Sequence, residues 1–319
     1  MWQRMTRTQL DPARWDACLD RAENGLIYAR SWYLDLVSPG WEGWVQPAAD
    51  GTYRCVVPVP VRRKWGLRYV AQPPMTQQLG WFGPPPTPQE LRDLIRRLAA
   101  SFRLVEYSLH DALPPPPTDA AWRVVPRATA HLSLQNDRES IRRGYARGKK
   151  SALRRAARAD LRVVDAPGAM PKLIDLFRRE RQVEHFSPAN FEQLQRLSDE
   201  ALRRGCAEVR VAVGPDGDLH AGSLFLKSQG RIINLFGVSA PAGRGNGSMT
   251  LLLDDCIGRH AGAGSPYRLF DFEGSRLPGV AKFFSEFGVT WAPFHHIVAE
   301  RLPAPVRWWK HRRGGPPPS

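Results

Sequence analysis

Apolar and polar positions alternate most cleanly between residues 207 and 240. AEVRVAV, HAGSLFLKS and RIINLFGVSA each read as a strand. They are joined by Gly214-Pro-Asp-Gly217 and by Gln229-Gly230, both turn signals, so the three predict a meander. Ahead of them, 171–183 and 191–204 repeat apolar residues at helical spacing. After them come a glycine-rich loop, a helix over 248–259, a strand YRLFDFE, a helix over 278–287 and a last strand around 294–298. The predicted order is two helices, a three-strand meander, helix, strand, helix, strand.

The first hundred residues give a fainter copy of that order. Helical segments fall at 12–21 and 31–36, and WEGWVQPA, TYRCVVPVPVR and LRYVAQP read as a meander. A helix over 88–100 precedes the strand LVEYSLH, with TQQLGWFGPPPTP standing where the later copy has its glycine-rich loop. Two proline-rich breaks, around 83–88 and at 114–117, remove backbone donors and read as loops. The second break suggests a first half over 1–118 and a second over 119–313. The tail at 314–319 is expected to be disordered. The echo points to an internal duplication in which phosphate binding is kept only in the second copy.

Composition narrows the class. A chain of 319 residues, 42% hydrophobic and 24% charged, is long enough for two packed domains. No apolar run approaches the roughly 20 residues that span a bilayer, and the first twenty residues hold no signal-type stretch, so the expected location is the cytoplasm. Cys18, Cys55, Cys206 and Cys256 form no C-x-x-C pair, which speaks against a zinc ribbon or a disulfide framework. The net charge of +15 favours anionic partners: nucleic acid, phosphorylated cofactors or an acidic surface. No G-x-S-x-G elbow or G-K-[ST] loop supports a hydrolase or a kinase.

Chemistry concentrates between 231 and 287. Arg244, Gly245, Asn246, Gly247 and Ser248 lie between a strand and a helix N-terminus, where backbone N–H groups can hold a phosphate. The bland alternative is a turn with Ser248 as helix cap. Asp271 and Glu273, two apart in an expected strand, share a face, opposite Phe270 and Phe272. Crowding would raise one carboxyl towards a general base for an amine, Glu273 first and Asp271 second; pairing with Arg276 is the structural alternative. Val238 and Ser239 end a strand (235–239) whose N–H groups could polarise a carbonyl, and Asn234 is a polar residue in an apolar strand. The basic run Arg138–Arg162 reads as a solvated face or as a dock for RNA, CoA or lipid headgroups, with an apolar stripe of Ile141, Tyr145, Leu153 and Ala157 broken by Gly144 and Gly148. His185 beside Glu184 reads as structural. His295 and His296, as strand neighbours, face opposite sides, so no metal site is expected there. Trp32, Trp41, Trp44, Trp65 and Trp81 could line an acceptor pocket, although packing is the more usual use of buried tryptophan.

The element order of the second half, with Val238, Pro241, Arg244, Gly245 and Gly247 in its loop, resembles the GNAT acyltransferases. Asp271-Phe-Glu-Gly274, Pro278-Gly279 and Phe284-Ser-Glu-Phe287-Gly288, with His131-Leu-Ser-Leu before a basic helix, resemble the FemAB-like branch. Met249 stands where the family prefers Gly or Ala, and Phe284 where many members carry lysine. The resemblance implies an α/β (α+β, mixed-sheet) fold of two tandem GNAT-like halves, the first degenerate. It implies an N-acyltransferase moving an acyl group from acyl-CoA (acetyl or longer) to a small-molecule or peptide amine by direct attack, without a metal. Val238 to Ser248 would hold the donor and Glu273 or Asp271 accept the proton. Two alternatives stand beside it: an aminoacyl-tRNA-dependent transferase with a peptide or peptidoglycan-precursor acceptor, and a non-catalytic basic binding module on the same scaffold.

Overall fold

A computed structural model describes residues 2–64, 66–180, 186–274 and 277–303. The expectations at Trp65, Glu184, His185, Arg276 and the tail 314–319 lie outside the described residues. The chain divides into two compact units, Met1–Arg127 with Phe294–Ser319, and Ala128–Pro293.

The first unit opens with β1 (Gln3–Thr6), α1 (Pro12–Arg21), α2 (Ser31–Val37), β2 (Glu42–Pro47) and β3 (Tyr53–Val59). It continues through β4 (Val61–Lys64), β5 (Leu67–Ala71), α3 (Pro88–Ser101) and β6 (Leu104–Leu109). Asp11 caps α1 and Thr87 closes a capping box with Glu90 on α3, each meeting N–H groups that a helix start leaves without partners. The strand expected across 52–62 breaks at Pro60: β3 joins β1 and β2, whereas β4 pairs with β5, and β5 runs parallel to β6. A residue without an N–H is a natural place to leave one ladder for another. Trp15, Trp41 and Trp81 are almost wholly buried and Trp44 nearly so, which makes them core. Trp32 is half-buried, against Tyr33.

The second unit carries β7 (Arg123–Ser133), α4 (Arg138–Arg143), α5 (Arg147–Arg158), β8 (Arg162–Asp165), α6 (Met170–Glu180) and α7 (Pro188–Arg203). Then follow β9 (Ala207–Val213), β10 (Leu219–Ser228), β11 (Arg231–Ser239), α8 (Ser248–His260), β12 (Leu269–Asp271) and α9 (Pro278–Ser285). β13 (Thr290–Glu300) closes the described chain, with His295 to Glu300 paired to Leu109 to Leu104 of β6 in the first unit. The strand order of the second unit is β7-β12-β11-β10-β9-β8. Only the β11–β12 pair is parallel there, and α8 supplies the crossover that a parallel pair needs. Its core packs Leu252, Leu253, Cys256 and Ile257 of α8 with Phe225, Ile232, Phe270 and Phe272 of the sheet region and Phe284 and Phe287 near α9.

The basic run divides into structural and exposed parts. Arg138 and Arg142 of α4 both bind Asp254, a wholly buried carboxylate on α8. Burial opposes ionisation of Asp254, yet the bonds from these two guanidiniums hold it below the usual carboxylate range. Gly144 ends α4, but Gly148 lies inside α5. The buried stripe runs through Ile141, Tyr145, Lys149, Ala152 and Ala156, and Ala157 is exposed. Arg143, Arg147, Lys150, Arg154, Arg155, Arg158 and Arg162 remain exposed. Among the described residues, no helix is long and apolar enough to cross a membrane.

Candidate active site

β11 and β12 part company early. Their parallel pairing covers Arg231 to Ile233 against Leu269 to Asp271, and β12 then ends while β11 runs on to Ser239. A bulge at Leu235, where Phe225 opposes Asn234 and Leu224 opposes Phe236, re-aims β11 at the point of departure. The gap is a cavity of about 520 Å³ lined by Asn234 to Ser239, Met249, Leu253, Phe272 to Gly274, and the α9 residues Gly279, Val280, Phe283 and Phe284. It is mostly apolar with few polar groups, the usual make-up of a small-ligand site.

Two of those polar groups stand out. Asn234 is only 9% exposed, and its Oδ1 has no hydrogen-bond partner among the described residues. A buried carbonyl oxygen left that way costs about 1–3 kcal/mol, which a bound donor group would recover. Glu273 is half-buried and has φ +60, a left-handed conformation that a side chain with a Cβ seldom adopts. Its backbone is fixed from both sides: Glu273 N–H donates to Asp271 Oδ1 at 2.9 Å, and its carbonyl accepts from Ala130 N–H at 3.3 Å.

The two acids therefore do not share a strand face. The strand stops at Asp271, and Phe270 and Phe272 both join the core. Asp271 is 1% exposed and does not line the cavity. Thr129 Oγ1 donates to it at 2.6 Å, and Arg231 Nη1 and His131 Nε2 lie 3.2 and 3.4 Å from its Oδ2. Burial pushes its carboxyl up, but His131, Arg231 and Thr129 together hold it below its ordinary value. The expected mutual crowding is thus replaced, at Asp271, by a satisfied ion-pair network that aims Glu273.

The glycine loop lies apart from the cavity lining. Val238 and Ser239 line the cavity, whereas Arg244, Gly245, Asn246, Gly247 and Ser248 do not. Gly247, at φ +90, is the N-cap of α8, and a Cβ there would be driven into the Ala152 carbonyl of α5. Arg155 donates to Gly245 O at 2.9 Å, Arg244 pairs with Glu180, and Ser248 N–H donates to Asn246 Oδ1 at 3.0 Å. Ser248 is buried, with its hydroxyl on Gly243 O at 3.0 Å, and is not the cap. Packing against α5 thus gives Gly247 a structural reason of its own, beside the anion-cradle reading.

The acetyltransferase (GNAT) domain family matches residues 139–284. That match lies within the second unit. No curated protein matches the chain in sequence. Among solved structures, FemX is similar at 12% identity and a TM-score of 0.67, covering 98% of this chain and 100% of its own. L-PGS from Bacillus licheniformis is similar at 11% identity, with a TM-score of 0.53 and coverage of 93% and 94%. A tandem GNAT protein from the clavulanic acid biosynthesis pathway gives 14% identity, a TM-score of 0.50 and coverage of 95% and 100%. These likenesses carry the fold: two tandem GNAT-like halves on a mixed α/β plan.

Sequence reasoning missed Thr129, His131 and Arg231 as the side-chain partners of Asp271. It also missed Lys149. The Lys149 side chain is 3% exposed, and its ammonium sits 3.2 Å from the centre of the Phe283 ring and 4.8 Å from that of Phe287, and lies 3.3 Å from Glu286. Inside a run of arginines it reads as one more surface cation.

Proposed function

We propose that the second unit transfers an acyl group from an activated donor to an amine, in the cavity where β11 leaves β12. The observation that carries this reading is the joint presence there of the partnerless Asn234 Oδ1 and the backbone-clamped Glu273. An amine N–H satisfies Asn234. As the amine attacks the carbonyl, the new C–N bond forms and the bond to the leaving group breaks. Glu273 takes the amine proton and passes it to the departing group, and N–H groups along 235–239 meet the developing oxyanion.

For the donor, we favour an aminoacyl ester of tRNA. The exposed cations of α5, Arg147 to Arg158, span about 16 Å of helix, a length suited to a phosphate backbone. The loop that would hold a CoA pyrophosphate is engaged with Arg155, Glu180 and Ala152. The acyl-CoA reading keeps one observation in its favour, the left-handed glycines 245 and 247 leading into a helix N-terminus.

Binding and thermal-shift measurements with tRNA, acetyl-CoA and longer acyl-CoAs separate the readings. Salt-sensitive tRNA binding without a response to acyl-CoA is the expected result. Stabilisation by acyl-CoA alone overturns the RNA donor and leaves acyl transfer standing. Silence towards every donor favours the non-catalytic module. Transfer activity that survives unchanged in Glu273→Gln removes the base assigned here.

A further inference from the structure

Away from the cavity, three side chains of different chemistry meet inside the second unit. Cys256 and His260 lie one turn apart on the same face of α8, and Glu208 faces them from β9. Cys256 Sγ is 3.2 Å and His260 Nε2 3.3 Å from Glu208 Oε1, and all three ligand atoms lie within 4.8 Å of one another. Among the described residues it is the one such group. We propose that Glu208, Cys256 and His260 bind a divalent transition-metal ion of the zinc type, which staples the C-terminal end of α8 to β9.

The geometry fits such an ion. Tetrahedral zinc with ordinary bond lengths holds its S, N and O ligand atoms about 3.3–3.6 Å apart. The two separations to Glu208 Oε1 already lie close to that range, and Cys256 Sγ and His260 Nε2, within 4.8 Å of each other, need only converge on the ion. Thiolate, imidazole and carboxylate together suit zinc or cobalt and not magnesium or calcium, which want oxygen. The His260 ring is set edge-on against Tyr267, with centroids 5.2 Å apart, which limits how it can turn. Binding replaces the thiol proton of Cys256, released to solvent, and the resulting thiolate and carboxylate offset the charge of the ion. The Lys227 ammonium now lies 3.6 Å from Glu208 Oε2 and its side chain is 19% exposed, so it can yield its place to the ion and turn outward. A cavity of about 550 Å³ lined in part by Glu208, Lys227 and Arg259 opens beside the Glu208 carboxylate, the side from which an ion and a solvent ligand would enter.

The alternative is a hydrogen-bonded triad that binds no metal. The full chain, stripped with chelator and reloaded, distinguishes them. With cobalt(II), the expected result is a thiolate-to-metal charge-transfer band with visible bands of tetrahedral intensity, absent in Cys256→Ser. With zinc, stoichiometric metal should survive dialysis in the wild type and be lost in His260→Gln, and zinc should raise the melting temperature of the wild type alone. Wild-type protein that shows no cobalt band and retains no zinc overturns the proposal, even if either variant fails to fold. Glu273 takes no part in the test, so the site stands or falls independently of the transferase reading.

Discussion

Glu273 and Asp271 differ in what surrounds them, and the difference predicts different losses. Glu273 lines the cavity on a strained backbone, so Glu273→Gln should lower kcat by about 10²–10⁴ with the melting temperature little changed, as removal of a general base does. Asp271 is buried among Arg231, His131 and Thr129. Asp271→Asn removes the charge that faces Arg231 and should cost about 3–5 kcal/mol of stability in a urea melt, the usual penalty for breaking a buried pair. Lys149 predicts a pH effect. Burial lowers its ammonium from 10.5 to about 8, against the pull of Glu286. Between those values the unfolded chain binds the extra proton, so its contribution to stability rises with pH from about 8 and levels off above 10.5. Urea midpoints at pH 7.5 and 9.5 should differ less in Lys149→Met than in the wild type. None of the three side-chain partners of Asp271 is near it in sequence, and nothing in ARGKKS separates a lysine clamped between phenylalanines from its solvated neighbours.

At the level of elements, most of the plan was legible. The meander, the helix after the glycine loop and the helices of the first unit fall where period and turn chemistry put them, because each is set by residues close in sequence. Short elements with little pattern of their own were not legible: β1, β8, and the end of β12 at Asp271, beyond which YRLFDFE continues the same alternation. The glycine loop was found, but the packing reason for Gly247 was not. Gly247 lies under the Ala152 carbonyl of a helix about ninety residues earlier. Gly247→Ala should therefore destabilise the free protein by about 2 kcal/mol or more, through the left-handed φ and the overpacking. A cradle needed only for donor binding would leave the melting temperature of the free protein in place. The zinc-type cluster escaped notice for a similar reason, since Glu208 sits far from the Cys256–His260 pair and only the β9–α8 packing joins them.

Across the whole molecule the charge of +15 is unevenly spent. Arg138 and Arg142 neutralise a buried acid, whereas Arg154 and Arg158 point into solvent on α5. Arg154→Gln with Arg158→Gln should weaken tRNA binding and reduce the slope of log K against log salt by about 2, if each meets one phosphate. Arg142→Gln should instead lower stability. The return of the chain has a further consequence. β13 gives six residues to β6, so the first unit is discontinuous in sequence and the second is in effect an insertion within it. A fragment ending at Arg127 keeps β6 but lacks that partner, leaving an open sheet edge that invites association. On the ribosome the order of completion is thereby reversed. The second unit has its whole sequence first, while the one that begins the chain must wait, with β6 exposed, for the last strand to emerge.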